Sequence, residues 1–192
     1  QGSHELTELY NESISFDRRL YKEDIAGSKA HANMLAASKI IAEEDRDLII
    51  SGLTEIEREI DTKEFDFRID REDIHLNIEA RLTERIGEAG GRLHTGRSRN
   101  DQIATDMRLF VRAACDATVD ALIELREVLL ALAQSEERTI MPGYTHMQRA
   151  QPILLRHHLQ AYESMIARDT ERFLQARTMN NRSPLGTGAP AG

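Results

Sequence analysis

Apolar residues recur every three or four positions along most of this chain, the spacing that lines one face of an α-helix. The longest series is Ile103, Met107, Phe110, Ala114, Ala117, Ala121, Leu125, Val128 and Leu132. It predicts a buried face on a helix of about 30 residues or more, where ~10–14 is usual. Upstream, Ile74, Ile78, Leu82 and Ile86 are spaced by four behind a capping residue, Asp73, and Gly87, Gly90 and Gly91 close that helix. Ile49, Leu53, Ile56 and Ile60 mark the buried face of a helix over about residues 46–61. An alanine-rich segment predicts a helix over about 28–44, opened by a turn and cap at Gly27-Ser28. Residues 62–71 form a charged connection. The four prolines, at 142, 152, 184 and 190, all lie in the last third, so no proline interrupts helix over the first 141 residues. The pattern breaks over 139–151 around Pro142-Gly143, and Pro152 suits the first turn of a last helix running to about 178. Residues 183–192 form a Gly/Pro loop. No alternating stretch of useful length predicts a strand, and the chain reads as all-α.

A helix of that length implies a bundle or an elongated molecule. Two long helices cannot bury their apolar faces alone, and a Gly/Pro loop is an odd terminus. The expectation is therefore an N-terminal portion of a longer protein, or faces covered by other chains. Composition sets outer limits. In 192 residues, 40% are hydrophobic and 30% charged, as in an ordinary globular protein. The formal net charge of −8 argues against a nucleic-acid partner, whose phosphates would be repelled. No apolar run approaches the ~20 residues that span a bilayer, and no signal peptide is visible. Cys115 is the only cysteine, so an internal disulfide is excluded and a cysteine metal site disfavoured. Amid alanines it reads as a small buried apolar residue. These features favour the cytoplasm. Gln1-Gly2-Ser3-His4 has the look of a cleaved tag remnant and is set aside.

The start of the long helix carries the most chemistry. His94-Thr95-Gly96-Arg97-Ser98-Arg99-Asn100-Asp101-Gln102 is a basic, hydroxyl-rich turn in an acidic protein. Gly96 permits a tight turn and Ser98, Asn100 or Asp101 can cap. Free N–H groups at a helix start, with planar arginines beside them, suit a carboxylate. Thr145-His146-Met147-Gln148 packs polar groups into what reads as an irregular loop between helices, where His146 can move a proton near neutral pH. Each also has a plain reading, as a cap and as a structural histidine. His75 reads as a surface or capping residue, and His31, His157 and His158 carry no assigned role. No His or carboxylate pair has metal-ligand spacing, and no Gly-rich phosphate loop follows a strand.

The turn from His94 to Gln102 closely resembles the signature of the argininosuccinate lyase family. The likeness extends to Ser15-Phe16-Asp17-Arg18-Arg19-Leu20 with Asp24-Ile25-Ala26-Gly27-Ser28, to Glu72-Asp73-Ile74-His75, to Thr145-His146-Met147-Gln148-Arg149-Ala150-Gln151-Pro152 and to Ser183-Pro184-Leu185-Gly186. These blocks run in the family's order from about residue 11 to the end. Fumarase, aspartase and adenylosuccinate lyase share the wider fold but lack that turn, and lens delta-crystallin is similar throughout. The resemblance implies reversible cleavage of argininosuccinate to arginine and fumarate, as in arginine biosynthesis, with no metal or organic cofactor. It implies a homotetramer on a central bundle of long helices, each site drawing on three subunits. It divides the chain into a small N-terminal helical domain, residues 1–99, and the first part of the bundle, 100–192. By resemblance Ser28, Asn100 and Thr145 contact substrate, Arg99 and Arg97 hold a carboxylate, His146 is catalytic with Thr145, and His75 and Gln148 lie near the site. The family's mobile serine loop would lie beyond residue 192, so this chain alone is expected to be inactive. Pro190 stands where the family usually has leucine. The alternatives are another lyase of the superfamily acting on a different succinyl compound, a crystallin-like structural oligomer, and a binding module without chemistry.

Overall fold

The computed structural model describes residues 5–185, so the expected tag remnant, Pro190 and the rest of the terminal loop over 186–192 lie outside it. Eight helices are described: α1 (Glu5–Asn11), α2 (Ile14–Asp17), α3 (Tyr21–Ala37), α4 (Glu43–Asp61), α5 (Ile74–Ile86), α6 (Glu88–Arg92), α7 (Arg99–Ser135) and α8 (Leu155–Met179). Short 3-10 turns occupy Arg18–Leu20 and Ile69–Arg71. The all-α reading holds apart from one antiparallel hairpin, β1 (Ile140–Thr145) with β2 (Gln148–Leu154). The chain divides into two compact units, one reaching Phe110 and one spanning Val111–Arg182.

In the first unit the helical spacing does what it predicts. Ile49, Leu53 and Ile56 of α4 and Ile74, Ile78 and Leu82 of α5 are buried together with Ile25, Ala32 and Leu35 of α3. Asp73 caps α5 by accepting the Leu76 N–H at 2.6 Å. Glu59 on α4 accepts from Arg81 on α5 at 2.8 and 3.0 Å and from Arg85, tying the two helices. Three expectations fail here. Gly27-Ser28 opens no helix, because α3 runs from Tyr21 straight through both. Its glycine faces α7, where a Cβ would already touch Asp106 Oδ1 at 3.4 Å. The helix also ends early, at Ala37, as Lys39 turns to φ 59°, so α4 begins at Glu43. Of the three glycines after α5, Gly87 ends it at φ 66°, but Gly90 and Gly91 lie within α6. A Cβ on Gly90 would sit 2.9 Å from Thr83 Cα, so this glycine lets α6 lie against α5.

The second unit contains the rest of α7, the hairpin and α8. Arg126–Glu163 at 2.9 Å and the Arg177–Asp116 pair join α7 to an antiparallel α8. The buried residues of α7 here are Cys115, Val119 and Ala133. That is not the face the spacing predicts: Ala114, Ala117, Ala121, Leu125, Val128 and Leu132 are exposed, Val128 at 63%. The helix is apolar on two sides and α8 covers only one. The expected irregular loop over 139–151 is the hairpin, and Pro152 stands inside β2, opposite Pro142, rather than in the first turn of α8. A two-stranded ladder is all edge, and a proline facing a proline leaves no N–H unpaired. That is how a stretch with two prolines becomes strands. His146 and Met147 make the turn with φ 50° and 58°, the primed geometry that matches strand twist but usually selects Asn-Gly. Among the described residues no helix is long and apolar enough to cross a membrane.

Candidate active site

Three helices of the first unit bring together side chains that lie far apart in sequence. His75, the second residue of α5, is 2% exposed. Its Nδ1 lies 3.0 Å from Asp24 Oδ1 on α3 and 3.4 Å from Asp106 Oδ2 on α7. Gln102 Nε2 also donates to Asp24 Oδ1. Arg97, just before α7, is buried and donates from Nη1 to Ser28 Oγ at 2.9 Å. Burial pushes the Asp24 carboxyl up, but the bond and charge of His75, the Gln102 bond and the Arg97 charge outweigh it and hold it below the ordinary carboxylate range. Asp106 goes the other way. Burial first, then the Asp24 charge beside it, push its carboxyl up to about 9, so it carries a proton at neutral pH. Burial also lowers the Arg97 guanidinium, against the pull of Asp24. The buried Asp24 carboxylate is thus set against the buried Arg97 cation, a pairing that burial demands.

Asp24, His75 and Asp106 have the composition of a metal site, with ligand atoms within 4.8 Å of one another. Arg97 already supplies positive charge there, and Asp24 Oδ1 is occupied by two donors. His75 also reaches a cavity of about 520 Å³ lined by Ser13, Phe16, Asp17, Arg19, Leu20, Asp73, Ile103, Met107 and Phe110. Its polar rim is tightly built. Ser13 Oγ donates to Asp17 at 2.6 Å, Asp17 accepts the Ile74 N–H at 3.2 Å, and the N–H groups of Ser13 and Ile14 both donate to Glu72 O. The cavity sets the Ser13 hydroxyl, the Arg19 guanidinium, the His75 imidazole and the Asp17 and Asp73 carboxyls above an apolar floor, the make-up of a small-molecule site.

A family model described as "Lyase" matches residues 2–192. The chain belongs to this lyase family. It is 55% identical over 188 residues to an argininosuccinate lyase of Burkholderia lata, covering 98% of this chain and 40% of that protein. It is 52% identical over 183 residues to one from Pseudomonas aeruginosa, covering 95% and 39%. The lyase chain thus spans about two fifths of the length of the curated relatives it matches. Among solved structures, a variant of EDDS lyase with bound fumarate superposes with a TM-score of 0.79 at 31% identity, over 99% of this chain and 38% of that one. A fumarate lyase:delta crystallin from Brucella melitensis gives 0.78 at 19% identity, over 96% and 45%, a likeness of fold.

Within the lyase chain the expected site residues fall into two sets. Ser28, His75, Arg97, Arg99 and Asn100 lie in the first unit. His75 is buried, not a surface or capping residue, because Asp24 partners it. His31 is likewise buried, with Nε2 2.9 Å from Thr95 O. Arg99 pairs with Glu79 at 2.8 Å and Gln102 Oε1 at 3.1 Å, Ser98 Oγ caps α7 by accepting the Asn100 N–H, and Asn100 itself is exposed. Thr145, His146 and Gln148 lie in the second unit at the exposed tip of the hairpin, with Thr145 paired to Gln148 across the turn. Sequence reasoning missed Asp24 and Asp106 as neighbours of His75, Gln102 as a donor to Asp24, and Ser13, Asp17 and Arg19 as cavity walls. Asp17, Arg19, Asp24 and Gln102 had one signal, membership in the blocks that carry the family resemblance, and Ser13 and Asp106 had none.

Proposed function

We propose that this chain forms part of an argininosuccinate lyase, which cleaves argininosuccinate reversibly to arginine and fumarate and so serves arginine biosynthesis in the cytoplasm. The observation that carries the reading is the identity of 52–55% to argininosuccinate lyases over 95–98% of the chain. The geometry supports it. Elimination removes a proton from the carbon beside a carboxylate and expels a guanidinium nitrogen, and the intermediate gathers negative charge on that carboxylate. Donors and cations set in place before the reaction stabilise such charge. Arg99 and the exposed Asn100 at the start of α7, with the His75 cavity, supply them in the first unit. Arg97 and Ser28 are buried against each other and serve by holding that turn. Thr145 and His146 supply the proton chemistry and Gln148 a further polar contact. No metal or organic cofactor enters the reading.

A homotetramer belongs to the same proposal. The apolar series from Ala114 to Leu132 is long, regular and uncovered in the single chain, which fits burial against other copies. In that assembly each site draws its blocks from three copies, as the family resemblance implies. The test is fumarate release, followed by its ultraviolet absorbance, from the complete protein given argininosuccinate. Steady release supports the assignment. Release from a different succinyl compound and none from argininosuccinate would favour another lyase of the superfamily, and none from either would favour a structural oligomer.

A further inference from the structure

We infer that Asp24 is a positioning residue, holding the His75 ring with its proton on Nδ1 and Nε2 left as the working nitrogen at the cavity. The inference rests on the proposed function, in that it takes the cavity beside His75 as the place where substrate binds. It stands on geometry. Asp24 Oδ1 lies 3.0 Å from His75 Nδ1, and both side chains are 2% exposed. A carboxylate can only accept, so the hydrogen between these atoms belongs to the ring. Which ring nitrogen is protonated is set by the bond the other makes. The arrangement is braced from two further sides. Gln102 donates to the same Asp24 oxygen, and Arg97 lies close enough to favour the anion. Asp106 closes the fourth side, its Oδ2 buried without a hydrogen-bond partner and 3.4 Å from Nδ1.

Among the described residues the His75 ring hydrogen-bonds to Asp24 alone, through Nδ1, so Nε2 is the nitrogen with capacity to spare. Ser13, Asp17 and Asp73 share the cavity with it. Turning the imidazole to offer Nδ1 instead is disfavoured, because the buried Asp24 carboxylate would lose one of its two donors. Asp24 therefore decides which face of the ring a ligand meets, without touching the ligand.

The test uses the complete protein with ¹⁵N-labelled histidine, the His75 signals being assigned by their loss in His75→Gln. The Nδ1–H tautomer is expected in the wild type, and Asp24→Asn, whose amide can donate, should move population to Nε2–H. In the same protein kcat/KM for argininosuccinate, per folded protein, should fall about 10- to 100-fold in Asp24→Asn, while the melting temperature falls as well because Arg97 loses its buried counter-charge. In a His75→Gln background the same substitution should cost almost nothing further in kcat/KM. A wild type in the Nε2–H form overturns the inference outright, and this needs no variant to fold. An equal loss in both backgrounds also overturns it, since Asp24 would then act independently of His75. If the wild type releases no fumarate, the proposed function fails, while the spectrum still decides the tautomer.

Discussion

Asp106 shows what a buried carboxyl does beside a second carboxyl that is better held as the anion. With its folded value near 9 and an ordinary value of 3.8, the folded chain keeps a proton that the unfolded chain releases. Its contribution is therefore complete below about pH 4 and is lost progressively as pH rises toward 9. Asp106→Asn keeps the shape and cannot ionise. Its melting temperature should exceed the wild type's at pH 8, and the gap should narrow by pH 5; a gap that widens on acidification would show that Asp106 is ionised in the fold. None of this was legible in the sequence. Asp24 lies 51 residues from His75 and 78 from Gln102, so no local spacing joins them. His75 read as a surface residue because a histidine near a helix start usually is one. What the sequence did show was the basic turn itself and three candidate caps, of which Ser98 is the one that caps α7.

Among the elements, legibility followed hydrogen-bond range. Helices α4, α5 and α7 announce themselves because their bonds are local and their apolar spacing repeats. The hairpin does not, because its register is a pairing between strands and its prolines argue against strand. Helix-to-helix fit is harder still, and α6 gives a paired test. Gly90→Ala must push against the Thr83 backbone and should cost about 1–3 kcal/mol, whereas Gly91→Ala meets nothing within 4 Å and should gain up to about 1 kcal/mol from helix propensity. Urea unfolding of both variants checks the signs, and equal effects would refute close packing at Gly90. The clip between α4 and α5 offers a second test. The Arg81 bond first, with Arg85 and both charges, outweighs burial and holds Glu59 down to about 2. Its stabilisation is present above about pH 4.5 and lost as pH falls through 2. Glu59→Gln should lower stability by about 1–3 kcal/mol at pH 7, with the difference from wild type shrinking in acid. A constant difference across that range would point to packing instead of charge.

At the scale of the molecule, α7 exposes the apolar series that its sequence made most regular. Leu125 and Val128 are 46% and 63% exposed. If other copies cover that face, Val128→Lys should split the assembly, seen as slower sedimentation, and fumarate release should fall with it. Smaller species that keep full turnover would separate assembly from catalysis and remove the shared-site reading. The sequence anticipated that these helices lack cover, since two long apolar helices have more surface than they can hide from water in each other. A helix that keeps such a face outward ties folding to mass action: association stabilises only the folded form, so heat resistance and specific activity should both decline on dilution.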